Sequence, residues 1–287
     1  MSSPRVAALF VHPIKSAAAI AVDTLALDDR GAVGDRRWLV IDDDGLQITA
    51  RETPLLALVR PQFARAGNAT GPRTNVDGPL SLTAPGLAGF SLEMPANSPT
   101  RPVRVWLDTV DAHDAGDAVA TWMSLAIKRA CRVVRLAEHA HRPLARKYAG
   151  TLPYEGRRVA FSDGAPLLIL GQASVDALSA RLVAQGGEPT TVSRFRPNIL
   201  LSHSLAHVED SWSRIRIGDV SIAIGSPCSR CVMTTVDPLT GEKGLEPLRT
   251  LATYRQGNGE VLFGMNATQA GPGVIGVGDV VRFETED

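Results

Sequence analysis

The sequence predicts a mainly β protein of the α+β class, with a few helices and two domains that share a cleft. Three observations carry this. Short β-branched or apolar runs bounded by turn residues recur along the chain. Gly (26) and Pro (19) are numerous, so turns are frequent. Only two stretches hold apolar residues at convincing helical spacing.

Val6–His12 and Arg37–Asp42 read as strands, with turn signals at Asp28-Asp29-Arg30-Gly31 and Asp43-Asp44-Gly45. Gln47–Ala50 and Leu56–Arg60 continue the meander, and residues 64–80, rich in Gly, Asn, Thr and Pro, read as a loop. Leu80–Thr83, Phe90–Met94 and Val103–Leu107 are further predicted strands. The first helix is expected over Ala115–Ala130, where Val119, Trp122, Met123 and Ala126 form a stripe and Asp114 or Asp117 could cap it. Arg132–Leu136 is a strand. Residues 138–157 read as an exposed connection, so the domains are expected at 1–150 and 151–287. Ser174–Ala184 is the second helix, capped by Ser174 and ended by Gly186-Gly187. Strands follow at Asn198–Ser202, Arg214–Ile217, Val220–Ile224, Glu260–Phe263 and Val280–Phe283.

Composition narrows the function. Lys+Arg and Asp+Glu are both 30, so the net charge is zero, which argues against bulk binding of nucleic acid. No run approaches the length of a membrane-spanning helix, and the start lacks a secretory pattern. Three cysteines do not make a disulfide scaffold. The chain therefore reads as cytoplasmic, with reduced thiols and no membrane partner.

Two of those cysteines lie in Cys228-Ser229-Arg230-Cys231. A thiolate beside an Arg has its pKa lowered and is ready to attack or to bind a soft metal. A zinc site needs two further ligands at matching spacing, yet Cys131 is isolated and His12, His113, His139, His141, His203 and His207 do not pair. A redox pair needs a helix start, whereas Val232-Met233-Thr234-Thr235-Val236 reads as a strand. A single thiolate ligand to a soft metal is the third reading. Two buried cysteines without a role are the plain alternative.

Lys15-Ser16 at a strand end can hold an oxyanion, or Lys15 can be an ordinary surface lysine. Arg36 and Arg37 alternate, so one can enter a cleft while the other faces solvent. Arg194 and Arg196 share a face by the same period, with Asn198 two places on, a strip suited to an anion. Ser162-Asp163-Gly164 is a turn. Together these residues offer cations, hydroxyls and amides for an anionic ligand, plus a thiolate for a metal.

In this order the motifs resemble the MOSC-domain proteins that carry an N-terminal MOSC β-barrel domain, and among them the amidoxime-reducing molybdenum enzymes. The resemblance rests on His12-Pro13-Ile14-Lys15-Ser16, Gly34-Asp35-Arg36-Arg37-Trp38, Phe161-Ser162-Asp163, Phe195-Arg196-Pro197-Asn198 and Cys228-Ser229-Arg230-Cys231 with Thr234 to Gly241. It implies a molybdenum cofactor between the two domains. Cys231 is the implied metal ligand. Lys15, Ser16, Arg36, Ser162, Asp163, Arg196, Asn198, Ser229 and Arg230 are the implied cofactor contacts. Asp237 would deliver protons or brace its loop, and an Asp-Pro turn favours bracing.

The implied reaction reduces N-hydroxylated small molecules to amines and water, consuming two electrons and two protons. The chain lacks the Cys-x4-Cys-x2-Cys of a ferredoxin domain found in some relatives, so electrons are expected from a separate protein of ferredoxin, flavodoxin or cytochrome b5 type. A sulfur or cofactor carrier is the first alternative, supported by the related domain of cofactor sulfurases. A metal-free or zinc-stabilised binding module is the second.

Overall fold

Val6, Leu9 and Val11 point inward along the strand Arg5–Val11, and this strand pairs with Ile199–Ser202 from the far half of the chain. A register shift between Val6 and Ala8 moves the inward set from an even to an odd position. The computed structural model describes residues 3–64, 73–74, 76–203 and 205–284.

The main sheet runs in the order Val281–Phe283, Arg214–Ile217, Val220–Arg230, Glu260–Gln269, Leu167–Gly171, Ile199–Ser202, Arg5–Val11 and Ile20–Val22. Its early and late strands also meet. Val6 N–H donates to the Asp279 carbonyl at 2.9 Å and Val281 N–H to that of Pro4 at 2.8 Å. The sheet thus closes toward a barrel, which leaves fewer backbone groups on open edges. Leu167–Gly171 and Ile199–Ser202 run parallel, the one parallel pair among the described strands. Parallel neighbours need a crossover, and the helix Gln172–Ala184 supplies it. Its buried Val175, Leu178 and Leu182 pack with Phe195, Leu251 and Phe263 outside the sheet.

A second sheet orders Trp38–Ile41, Arg132–Leu136, Asp108–Asp114 and Thr100–Val105. The helix Asp117–Ile127 covers one face of it, burying Val119, Trp122, Met123 and Ile127 among Trp38, Val40 and Val133. Two three-stranded sheets, Arg60–Phe63 with Leu80–Thr83 and Phe90–Leu92, and Thr24–Asp28 with Gly31–Ala32 and Gly273–Gly276, complete the frame.

Several expected elements change. Pro54 opens a 3-10 turn over Pro54–Leu58 because its fixed φ suits a helical start, so the strand begins only at Arg60. Gln47 makes a single bridge to Ile41, and Gln47–Ala50 is not a strand. Val103–Leu107 stops at Val105. Its hairpin partner Asp108–Asp114 was hidden by three aspartates that depress strand propensity. The first helix ends at Ile127, followed by Lys128 at φ 55°. Ser174 lies inside the second helix, where it is buried and donates to Glu209 at 2.6 Å rather than capping. Residues 65–72 and 75 of the expected 64–80 loop lie outside the described residues. Residues 138–157 are not a bare exposed connection, since Arg142, Leu144 and Ala149 are buried. Nor does the expected division near residue 150 separate the sheets, because Arg5–Val11 and Ile20–Val22 belong to the sheet of the second half.

Candidate functional site

A cleft of about 420 Å³ opens where the two large sheets meet. Its walls bring together Lys15, Ser16, Arg36, Ser162, Asp163, Arg196, Asn198, Cys228, Ser229, Arg230 and Cys231, which lie far apart in the sequence. Four of the seven non-glycine residues with positive φ among the described chain line it: Ser16 (70°), Arg36 (48°), Trp106 (57°) and Arg196 (57°). Left-handed backbone is unfavourable for such side chains, and it concentrates where surrounding structure imposes an orientation.

The cationic side is built from three segments. Lys15 N–H donates to the Trp38 carbonyl, Trp38 N–H to that of Pro13 and Arg36 N–H to that of His12. These bonds lock the Lys15 and Arg36 segments side by side. Lys15 Nζ donates to the Phe161 carbonyl at 2.7 Å and to Asp163 Oδ1 at 2.5 Å. Burial brings its pKa down to about 8, against the opposing pull of Asp163. Arg196 donates through Nη1 to the Ala17 carbonyl at 2.6 Å, while its buried Nη2 has no partner. Burial and then Arg36 lower the Arg196 pKa. Burial, Arg196 and Arg36 also hold His12 well below the usual imidazole range. Cations crowded this way are relieved by an anion.

Asp163 keeps its charge. Partial desolvation pushes its carboxyl up, but Lys15 first and then Arg51 and Trp106 outweigh this and hold it well below the usual range. Its side chain is 62% exposed, so open cleft and solvent face it as well as these partners. Beside it, the buried Ser162 Oγ has no partner. Gly164 lets the Tyr148 ring close the far side of this turn, where any Cβ would run into the ring.

The two cysteines sit at the end of Val220–Arg230, which carries register shifts between Ile224 and Pro227 and between Pro227 and Ser229. Such bulges re-aim side chains. Both thiols are half-buried and unpaired. Cys231 begins a 3-10 turn over Val232–Thr235, and its carbonyl accepts from Thr234 N–H and Oγ1 at 3.0 Å each. The expected strand after the pair is therefore absent. Local bonding of Thr234 and Thr235 back to the Cys231 and Val232 carbonyls overrides their β-branched preference. The expected lowering of a thiol pKa by Arg230 fails at Cys228, where burial pushes the thiol up and Arg230 offsets it only in part. Arg230 turns its Nε to the Phe263 carbonyl (2.7 Å) and Nη1 to that of Phe195 (3.0 Å).

Other placements refine the expectation. Asn198 is fully buried and spends both ends of its amide, accepting from Leu168 N–H and Arg36 Nη1 and donating to the Phe10 carbonyl and Asp35 Oδ1. It orients the cleft from behind. Arg194 and Arg196 share the cleft but not a strand face, because Val192–Arg194 is a 3-10 turn and Arg196 is left-handed. Arg37 does leave Arg36 for the opposite side, yet it is buried on Asp28 rather than solvated. Asp237 is not a wall of the cleft. One oxygen takes Arg194 at 2.6 Å and the other takes Leu239 and Thr240 N–H at 2.8 and 3.1 Å.

Sequence reasoning missed Arg142, Trp106 and Tyr148. Buried Arg142 binds Asp108 at 2.7 Å and donates to the carbonyls of Ala160, Ser162 and Asp163, fixing the turn that carries Ser162. Only contacts distant in sequence give these residues meaning, so no local signal could have found them.

A family model described as "MOSC N-terminal beta barrel domain" matches residues 3–130, and one described as "MOSC domain" matches residues 156–282. The chain belongs to the MOSC family. This MOSC protein is 34% identical over 96% of its length to mitochondrial amidoxime-reducing component 1 of Mus musculus, covering 81% of that protein. The Homo sapiens protein of the same name is also 34% identical, with 96% of this chain and 82% of that one covered. Molybdenum cofactor sulfurase 1 of Aedes aegypti is 30% identical over 94% of this chain, which spans 34% of that longer protein.

Proposed function

We propose that this MOSC protein is a molybdenum-cofactor-dependent oxidoreductase that reduces N-hydroxylated compounds (hydroxylamines, amidoximes and N-hydroxy bases) to amines. The observation that carries it is one cleft holding both an under-satisfied cationic cradle and a thiol pair, in a chain similar to proteins named for amidoxime reduction.

The residues present fit the cofactor. A pterin phosphate needs cations and hydroxyls with free donors, and Lys15, Arg36, Arg196, Ser16 and Ser162 supply them. The unpartnered Arg196 Nη2 and Ser162 Oγ are the clearest sign. A soft metal needs a thiolate, and Cys231 is the residue we assign to hold it, with Ser229 and Arg230 lining the same cleft. When bound, the cofactor supplies the two-electron chemistry. The chain's own residues bind and orient. Asp163 steadies Lys15, Asn198 steadies Arg36, and Asp237 with Arg194 holds the loop after Cys231.

Electrons come, in this reading, from a separate carrier of ferredoxin, flavodoxin or cytochrome b5 type. No helix among the described residues is long and apolar enough to cross a membrane. Three unpaired thiols suit a reducing compartment, so the reading places the protein in the cytoplasm.

The sulfurase relative favours a second reading, a carrier of cofactor or sulfur. Molybdenum and pterin analysis of protein from a cofactor-making host, followed by turnover of an amidoxime with a chemical reductant, separates the two. Stoichiometric metal with many turnovers supports the reductase. Bound cofactor without turnover supports the carrier.

A further inference from the structure

Trp106 occupies a backbone position that glycine would fill more easily. The strands Thr100–Val105 and Asp108–Asp114 pair Val105 with Asp108, leaving Trp106 and Leu107 as a two-residue turn. Trp106 has φ 57° and Leu107 is not left-handed, the pattern of a type II′ turn, whose first loop position favours glycine. A bulky aromatic there is a conformational outlier, and such outliers point to what the side chain does.

The side chain reaches into the cleft. Its indole N–H donates to Asp163 Oδ1 at 3.0 Å, and the Arg51 guanidinium lies over the ring, 4.3 Å from its centroid. The same guanidinium is 3.6 Å from Asp163 Oδ2. A planar nitrogen cation thus rests on an aromatic face with a carboxylate at its edge. The corner is rigid, because Arg142 ties Asp108, at the foot of the turn, to the backbone of Ser162 and Asp163. Its occupant is held by stacking and a long ion pair. Arg51 is a long side chain, 30% exposed, and its ion pair with Asp163 is long.

We propose that Trp106 and Asp163 form a recognition corner for an amidinium or guanidinium group, with Arg51 as its resident surrogate. A ligand carrying such a group displaces Arg51 and takes the same ring face and the same carboxylate. Resting on the reductase reading, the corner takes the amidinium product, which is cationic at neutral pH, in preference to the uncharged N-hydroxylated substrate.

The test is calorimetric titration of the protein, as isolated, with benzamidinium chloride. Trp106→Gly is expected to weaken binding at least tenfold while leaving Tm unchanged or raised, since glycine suits the turn. Arg51→Ala is expected to tighten binding at least threefold, because it removes the competitor. Equal affinity in the wild type and Trp106→Gly, no tightening in Arg51→Ala, or no binding to any of the three proteins would overturn the proposal. A fall in Tm without a change in affinity would also overturn it, showing the ring to be a structural clasp. The titration needs no turnover, so it stands or falls apart from the reductase reading, which metal content and turnover decide.

Discussion

Lys15 Nζ lies 2.5 Å from Asp163 Oδ1, joining the end of the first strand to a turn 148 residues later. The pair sits where the two large sheets meet, so it aligns the two halves of the cationic cradle. Its chemistry is uneven. Lys15 loses its proton near pH 8, while Asp163 stays charged far into acid.

Anion binding should therefore depend on pH. Lys15 has a folded pKa below the ordinary lysine value, so its charge is present in acid and fades as pH rises through about 8. Inorganic phosphate titrated into cofactor-free protein should bind more weakly above that midpoint. Bound phosphate should in turn raise the midpoint by linkage. Lys15→Arg should flatten the profile. An unchanged step in that variant would assign the pH dependence to another group.

The thiols should differ. Cys231→Ala should lose molybdenum and activity while keeping its Tm, and Cys228→Ala should retain most of both. Cys228 should also react slowly with thiol reagents at neutral pH, because burial raises its pKa. Metal analysis and mass-resolved alkylation check both statements. Equal loss of metal in the two variants would refute the assignment.

Asp237 should behave as a brace. Asp237→Asn keeps the acceptor for Leu239 and Thr240 N–H but weakens the tie to Arg194. We expect a stability loss of about 1 kcal/mol, from one charge-assisted bond made neutral. The pH profile of turnover should not move. A shifted profile would mean that Asp237 carries protons.

Asn198→Leu should cost about 2–3 kcal/mol in urea unfolding, since Asp35 and the Phe10 carbonyl lose buried partners. Phosphate affinity should fall with it, because Arg36 loses its orientation. Intact affinity in a folded variant would show that Asp35 and the Arg196 carbonyl hold Arg36 without Asn198.

The site was legible where chemistry is local. Cys228-Ser229-Arg230-Cys231, Lys15-Ser16 and the Arg194–Asn198 strip stood out because their residue types are rare in combination, and all line one cleft. Roles were less legible. Asn198 looked like a cofactor contact, yet it spends its amide on neighbours. Arg230 looked like an activator of thiols, yet its guanidinium serves the backbone of Phe195 and Phe263.

By itself the sequence determined the β-rich class, the two helical stripes and the inventory of cations and thiols, because period and residue chemistry are properties of short segments. Tertiary structure alone decided that Arg5–Val11 joins the far sheet, that Trp106 and Arg142 belong to the cleft, and which polar groups remain free to bind. The reason is physical. A side chain's partners, its desolvation and therefore its charge depend on contacts between segments that no local pattern encodes.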